Sequence, residues 1–240
     1  MECLRELTID VEFVKNDQMI FQTTTWVCFV GILTGMTNNT KNGWSLSLNF
    51  RWCDGSAIWN YFSFLFQHEP IEFIIRNAFE KNLSYDEAVK FLSKAKIIAP
   101  CYLVITGCNQ GEGTLITRDR AGDVNPLILK DSKTNCLLMT NIDHWLEKVD
   151  VKWACGDDLL LNSVERRTTA NQLMSNVKFE KDQKIEDIEN ELFKVLETYP
   201  VYNYQTVYQV IMSPKNGSYS SRFVVQNLIL KKNFFSFLEL

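Results

Sequence analysis

The sequence reads as an α+β fold, and three observations say so. Apolar and polar residues alternate over the first six positions of residues 7–14, β-branched or alternating runs recur at 26–34 and 45–50, and short strand-like runs between polar turns return from 101 to 140. Apolar residues recur three and four positions apart between residues 58 and 96 and again from 185 to 196, the repeat of a helix face. The two patterns come in blocks, which fits a sheet layer covered by helices better than the strict strand-helix alternation of a doubly wound parallel sheet. The chain has 240 residues, 46% hydrophobic and 22% charged, without internal repeat or low-complexity linker, so 1–240 reads as a single domain with one core.

Taken in order, Leu7 to Val14 predict a strand, Lys15-Asn16-Asp17 a turn and Met19 to Thr23 its partner, a hairpin. Trp26–Thr34 and Ser45–Phe50 predict a second strand pair, separated by Gly35 and the turn-tolerant run Asn38 to Gly43. After Gly55, Ile58, Phe62 and Leu65, then Ile71, Ile74, Ile75, Ala78 and Phe79, mark helix faces. Ser84-Tyr85-Asp86-Glu87 has the form of a capping box, whose Ser and Glu side chains occupy N–H groups that a helix start leaves open. The helix it begins carries Val89, Leu92 and Lys96 and stops before Pro100. Strands follow at Cys101–Thr106, Thr114–Thr117, Pro126–Lys130 and Cys136–Thr140, with short polar turns that favour antiparallel pairing. Ile185, Ile188, Leu192, Val195 and Leu196 mark a further helix ended by Pro200, before strands from Val201 to Met212 and from Ser220 to Leu230.

Composition excludes several classes. Lys and Arg number 25 against 29 Asp and Glu, a net charge of −4 without a basic stripe, so the phosphate-neutralising footprint of a nucleic-acid binder is missing. Cys3, Cys28, Cys53, Cys101, Cys108, Cys136 and Cys155 are odd in number and include no C-x-x-C pair, which fits neither a disulfide framework nor a zinc knuckle. His68 and His144 lie far apart, outside any ligand-spaced cluster, so neither a metal nor another cofactor is expected. Residues 1–10 are charged and strand-like rather than a basic start followed by an apolar run, so no signal peptide is expected. Asn38, Asn82 and Asn216 open N-x-Ser/Thr sequons, compatible with glycosylation in the secretory pathway. The apolar tail is broken by Gln226, Asn227, Lys231, Lys232 and Asn233, whereas a spanning helix needs about 20 consecutive apolar residues, so the chain is not read as transmembrane.

Few residues carry chemistry on their own. Gly107 to Gly113 is glycine-rich, but a strand follows it, whereas a phosphate-cradling loop opens onto a helix N-terminus, so a hairpin turn is the reading. Asp143-His144 is not a hydrolase triad, because no G-x-S-x-G elbow occurs and adjacency in sequence is not a spatial relay. The six tryptophans, with Phe62, Phe64 and Phe66, read as core before they read as the wall of an apolar cleft. Asn141, at the end of the Cys136–Thr140 strand, has a side-chain amide suited to aim an N–H donor at a developing oxyanion, the alternative being a turn-forming Asn. Arg166-Arg167 is suited to hold a carboxylate or to fix a catalytic group through a bidentate fork, the alternative being a solvated face.

From Leu7 to Arg222 the chain resembles the acid ceramidase and N-acylethanolamine acid amidase family of N-terminal nucleophile cysteine amidases. The resemblance rests on Leu7 to Phe13, Val30 to Gly35, Ser45 to Asn49, Ser84 to Ala88, Ala95 to Pro100, Gly111-Glu112-Gly113 with Ile116 to Arg120, Thr140-Asn141-Ile142-Asp143-His144-Trp145 and Arg166-Arg167-Thr168. Ala95 to Pro100 looks more like the ceramidase. Val201-Tyr202-Asn203 with Thr206-Val207-Tyr208 and Met212-Ser213 looks more like the ethanolamide amidase.

The resemblance implies an αββα sandwich and a precursor that cleaves itself before a cysteine, whose thiolate attacks a lipid amide carbonyl to give an acyl-enzyme. It implies that Asn141 lines the oxyanion hole and that Arg166 orders the site. It places the nucleophile upstream of the Leu7 segment, so the first strands of the sandwich are expected to be missing from residues 1–240 and this chain alone is expected to be inactive. Phe50 stands where the ceramidase has a carboxylate. Val149 to Asn162 reads as an insertion, and residues 223–240 as a divergent tail. The activity implied is cleavage of ceramide to fatty acid and sphingoid base, with N-acylethanolamine hydrolysis and a non-catalytic lipid- or partner-binding relative as alternatives. An N-acyl lipid, a smaller subunit of the same precursor, transient contact with a membrane surface and a lysosomal or secretory location follow from the same resemblance.

Overall fold

A computed structural model describes residues 2–52, 57–66, 68–120, 122–131, 136–146, 162–180, 183–225, 228–230 and 238–239. β1 (Thr8–Lys15) and β2 (Gln18–Trp26) form the expected hairpin. Asn16 and Asp17 turn it at φ 52° and 60°, left-handed values that a short polar side chain tolerates and that match the twist of the flanking strands. β3 (Thr34–Thr37), β4 (Trp44–Phe50), β5 (Cys101–Gly107), β6 (Gly113–Asp119) and β7 (Gly122–Ile128) continue the sheet antiparallel in chain order. β11 (Leu238–Glu239) lies parallel to β1 at the other edge. A second sheet has the order β10 (Leu228–Leu230), β9 (Ser218–Val225), β8 (Tyr208–Ser213).

The outer face of the large sheet is apolar because α3 (Ile71–Glu80) and α4 (Tyr85–Lys94) cover it. Phe79 stacks on Trp44 at 4.2 Å and on Phe21 at 5.0 Å, and Phe21 on Phe13 at 4.2 Å, a column that joins α3 to three strands. Each such ring, fully buried, contributes about 1.5–3 kcal/mol by transfer from water. A Cβ on Gly35 would stand 3.0 Å from the Gln22 carbonyl and 3.3 Å from the Phe79 ring, so close packing explains the glycine inside β3. The inner face is polar. Thr24 and Asp10 meet Tyr219 and Ser221 of β9, and the Tyr208 hydroxyl donates to Thr34. α5 (Ser163–Asn176) and α6 (Ile185–Glu197) back the small sheet. There Gln209 donates to the Leu196 carbonyl at 2.6 Å and the Arg222 guanidinium lies 3.8 Å from the centre of the Phe193 ring. The layers run helix, sheet, sheet, helix, the expected sandwich.

The capping box is present, with Ser84 N donating to Glu87 at 2.9 Å and Ser84 Oγ at 2.7 Å. α2 (Ala57–Leu65) and α3 are two helices because Pro70 removes an N–H between them. Other expectations need correction. Trp26–Thr34 is not a strand beyond Trp26: Cys28 sits at φ 68° and Ile32 N donates to the Glu72 carbonyl, which pulls the chain out of the sheet toward α3 and moves the second hairpin to β3 and β4. Lys96 lies past the end of α4. Cys136–Thr140 is irregular, since the Asn49 side chain rather than a neighbouring strand takes the Met139 carbonyl, at 3.1 Å. Val201–Val207 forms turns, and Glu2–Glu6 is a short helix, α1. The span read as an insertion, 149–162, lies outside the described residues except for Asn162.

Candidate active site

Where β4 ends, the chain continues through Arg51 and Trp52, and the segment around Asn141 lies alongside it. Trp52 N donates to the Asn141 carbonyl at 2.9 Å, and Asn141 Nδ2 donates to the Phe50 carbonyl at 3.1 Å. The first turn of α5 forms the opposite wall. Asn141 N donates to Ser163 Oγ at 3.0 Å, Ser163 Oγ to Thr140 Oγ1 at 2.8 Å, and Thr140 Oγ1 back to the Ser163 carbonyl at 3.0 Å, three bonds that tie Thr140 and Asn141 to a fully buried serine. Three residues further on, Arg166 Nη2 donates to Asn141 Oδ1 at 2.6 Å.

The side-chain amide of Asn141 is therefore held at both ends. A guanidinium on its oxygen draws charge from the nitrogen and strengthens the N–H groups as donors. The nitrogen carries two N–H groups, of which Phe50 takes one. Arg166 also lines a cavity of about 140 Å³ with Asn162, Tyr199, Pro200, Asn203, Tyr204 and Gln205. Arg5 of α1 anchors this wall, donating to the Thr206 carbonyl at 3.1 Å and to that of Tyr204. Arg166 and Arg167 thus part company: Arg167 donates to the backbone carbonyls of Asp143, at 3.2 Å, and Leu146, at 2.5 Å. Neither is a merely solvated face.

The other candidates fall elsewhere. Asp143 pairs with Arg51 and Tyr102, not with His144, whose ring packs edge-on against Trp145 at 4.7 Å and whose burial lowers its pKa. Burial raises the pKa of the Cys101 thiol to about 12, and burial pushes the Cys136 thiol up from its ordinary range, the opposite of what a nucleophile needs. Cys108 is buried and donates to the Gly43 carbonyl at 3.4 Å, Cys3 and Cys28 are exposed, and Cys53 and Cys155 lie outside the described residues. Trp44 is core, Trp26 and Trp52 are half-buried, and Trp145 is exposed. Gly107 to Gly113 turns the hairpin between β5 and β6, with Gly111 at φ 81°. Among the described residues no group of three or more His, Cys, Asp or Glu is placed to hold a metal, and no helix is long and apolar enough to cross a membrane.

The sequence reading missed Ser163, Arg51 and Tyr102. The one available signal, Ser-x-x-Arg at the start of α5, was hidden because that helix has almost no apolar stripe, burying only Ser163 and Ala170.

No family model matches the chain. It is similar to the N-acylethanolamine-hydrolyzing acid amidase of Oryctolagus cuniculus, 34% identical over 213 residues, which make up 88% of this chain and 53% of that protein. It is similar to the acid ceramidase of Mus musculus, 32% identical over 226 residues, 92% of this chain and 52% of that one. Among solved structures it is similar to a Caenorhabditis elegans N-acylethanolamine-hydrolyzing acid amidase ortholog, with a TM-score of 0.71 and 29% identity over 90% of this chain and 83% of that one. The chain spans about half the length of the curated relatives it matches.

Proposed function

The chain belongs to the family of acid ceramidases and N-acylethanolamine-hydrolyzing acid amidases, and on that premise we propose that the whole protein is an amidohydrolase that cleaves the amide bond of ceramide to a fatty acid and a sphingoid base. The carrying observation is the Asn141 amide fixed between Arg166 and the Phe50 carbonyl. As a cysteine thiolate adds to the lipid carbonyl, negative charge builds on the carbonyl oxygen, and the second Nδ2 hydrogen of Asn141 donates to it. Collapse breaks the C–N bond, the amine leaves carrying the proton that the thiol gave up, and water hydrolyses the remaining thioester to the fatty acid and the free thiol. Arg166 holds the amide in that orientation. By the resemblance the thiol belongs to a segment upstream of Leu7, so residues 1–240 assayed alone are proposed to release no fatty acid, and a smaller subunit of the same precursor completes the enzyme.

An N-acylethanolamine is the second reading, favoured by the cavity beside Arg166, whose wall includes Asn203 of the amidase-like stretch. Transient membrane contact fits α2 and the residue after it, which expose Ile58, Tyr61, Phe62, Leu65 and Phe66, the last at 70%. Glycosylation and a lysosomal setting fit the exposure of Asn38, Asn82 and Asn216.

The test compares residues 1–240 with a form extended upstream, using ceramide and N-palmitoylethanolamine at acidic pH and measuring released fatty acid. The extended form is expected to turn over, and Asn141→Ala to lower its kcat by about 10²–10³-fold. Lipid binding without turnover in either form supports the non-catalytic relative instead, and turnover by 1–240 alone refutes the proposed inactivity.

A further inference from the structure

We propose that Asp143, clamped by Arg51 and Tyr102, is a positioning residue for the Asn141 amide. The inference rests on the amidase reading above, which gives that amide its task.

Asp143 is 8% exposed, and a carboxylate so buried persists only when paired and hydrogen-bonded. Arg51 Nε donates to Oδ1 at 2.7 Å and Nη2 to Oδ2 at 3.0 Å, a bidentate fork, while the Tyr102 hydroxyl donates to Oδ1 at 2.6 Å. The clamp is itself anchored in the sheet. Tyr102 is fully buried on β5, Arg51 follows β4, its guanidinium carbon lies 5.9 Å from the Tyr102 ring centre, and its Nη1 donates to the Arg118 carbonyl of β6 at 3.3 Å. From the other side Arg167 of α5 holds the Asp143 carbonyl.

Asn141 and Asp143 are two residues apart on a segment that no strand ladder holds. Fixing the Asp143 side chain therefore fixes the direction in which the chain leaves Asn141, while Trp52 N fixes the Asn141 carbonyl. With the backbone held at both points, the Asn141 side chain reaches Phe50 and Arg166 together. The clamp uses groups from β5, β6 and the residue that follows β4 to orient one donor, and a donor displaced by about 1 Å can cost about 10²-fold in rate. A buried ion pair is weak support for stability, because well-packed apolar residues often replace one without loss. Direction is the property such a replacement would not supply.

The test is made on residues 1–240 labelled with ¹⁵N-asparagine, the Asn141 side-chain amide being assigned by its loss in Asn141→Asp. Tyr102→Phe and Arg51→Lys each remove part of the clamp, and Asp143→Asn removes its charge. Each is expected to shift the Asn141 side-chain resonances and to speed exchange of its bonded N–H by about tenfold or more. Arg76→Met, which breaks the Arg76–Glu80 pair on α3, should leave both unchanged. If Asp143→Asn does not fold, the two milder variants decide.

Unchanged Asn141 resonances in folded Tyr102→Phe and Arg51→Lys overturn the proposal and leave the cluster a structural one. In a form that turns over, Tyr102→Phe should lower kcat about tenfold with KM held within twofold. Moved resonances without turnover in any form would keep the positioning role and remove the amidase reading. Turnover with unmoved resonances would do the reverse.

Discussion

Arg166 on the first turn of α5 donates to Asn141 Oδ1 at 2.6 Å, so the two residues that the sequence singled out meet in one hydrogen bond although 25 positions separate them. The bond ties a helix of the outer layer to an irregular segment that runs beside the end of β4.

Arg166→Lys keeps the charge and loses the planar fork. In a turnover-competent form it is expected to lower kcat more than it raises KM, because the Asn141 amide loses its orientation while the lipid still binds. Steady-state kinetics on both substrates measures the split, and an effect confined to KM would assign Arg166 to binding.

Phe79→Ala is expected to destabilise the fold by about 3–5 kcal/mol, since it empties the middle of the Trp44–Phe79–Phe21 column. Urea denaturation reads the change. A loss below about 1 kcal/mol would mean that the sheet and α3 collapse onto the gap or that the column does not form.

Asp10 sits 5% exposed between the sheets, and burial raises its pKa from the ordinary 3.8, while the hydrogen bonds that Ser221 and Thr24 donate to its oxygens pull the other way without cancelling the rise. The other titratable groups facing this layer, Tyr208 and Tyr219, are pushed further up by burial and stay neutral. The folded state thus holds the Asp10 proton where the unfolded chain has released it. Asp10 adds stability at pH below 3.8 and loses that contribution as pH rises through its folded pKa. Melting of the wild type against Asp10→Asn from acidic to neutral pH should show a flatter profile in the variant. Parallel profiles would rule the carboxyl out.

Leu65→Ser with Phe66→Ser is expected to weaken sedimentation with anionic lipid vesicles without lowering the melting temperature, because both side chains are exposed. Equal sedimentation of the double variant and the wild type would remove the α2 surface from membrane contact.

The helices α3, α4 and α6 and the strands β1, β2, β5 and β6 were legible because their signals are local: a period, a capping box, a left-handed Asn-Asp turn. Errors came where a distant partner overrode the local pattern. Glu72 of α3 draws Ile32 out of the sheet, and the Asn49 side chain takes the carbonyl that a strand at Cys136–Thr140 would have shared with a neighbour. α5 went unread because the side chains it commits inward are largely polar, Ser163, Arg166 and Arg167, and leave no apolar stripe.

Periodicity alone established the α+β layering and side-chain chemistry singled out Asn141 and Arg166, while the likeness of short stretches to a known family added the αββα sandwich and the roles of those two residues. Folding settled the rest: Phe50 and Arg166 become the partners of the Asn141 amide, Asp143 turns to Arg51 and Tyr102 instead of His144, and Cys101 is buried. Those outcomes depend on which groups long-range packing shields from water, and no local window of the chain contains both partners of such a contact.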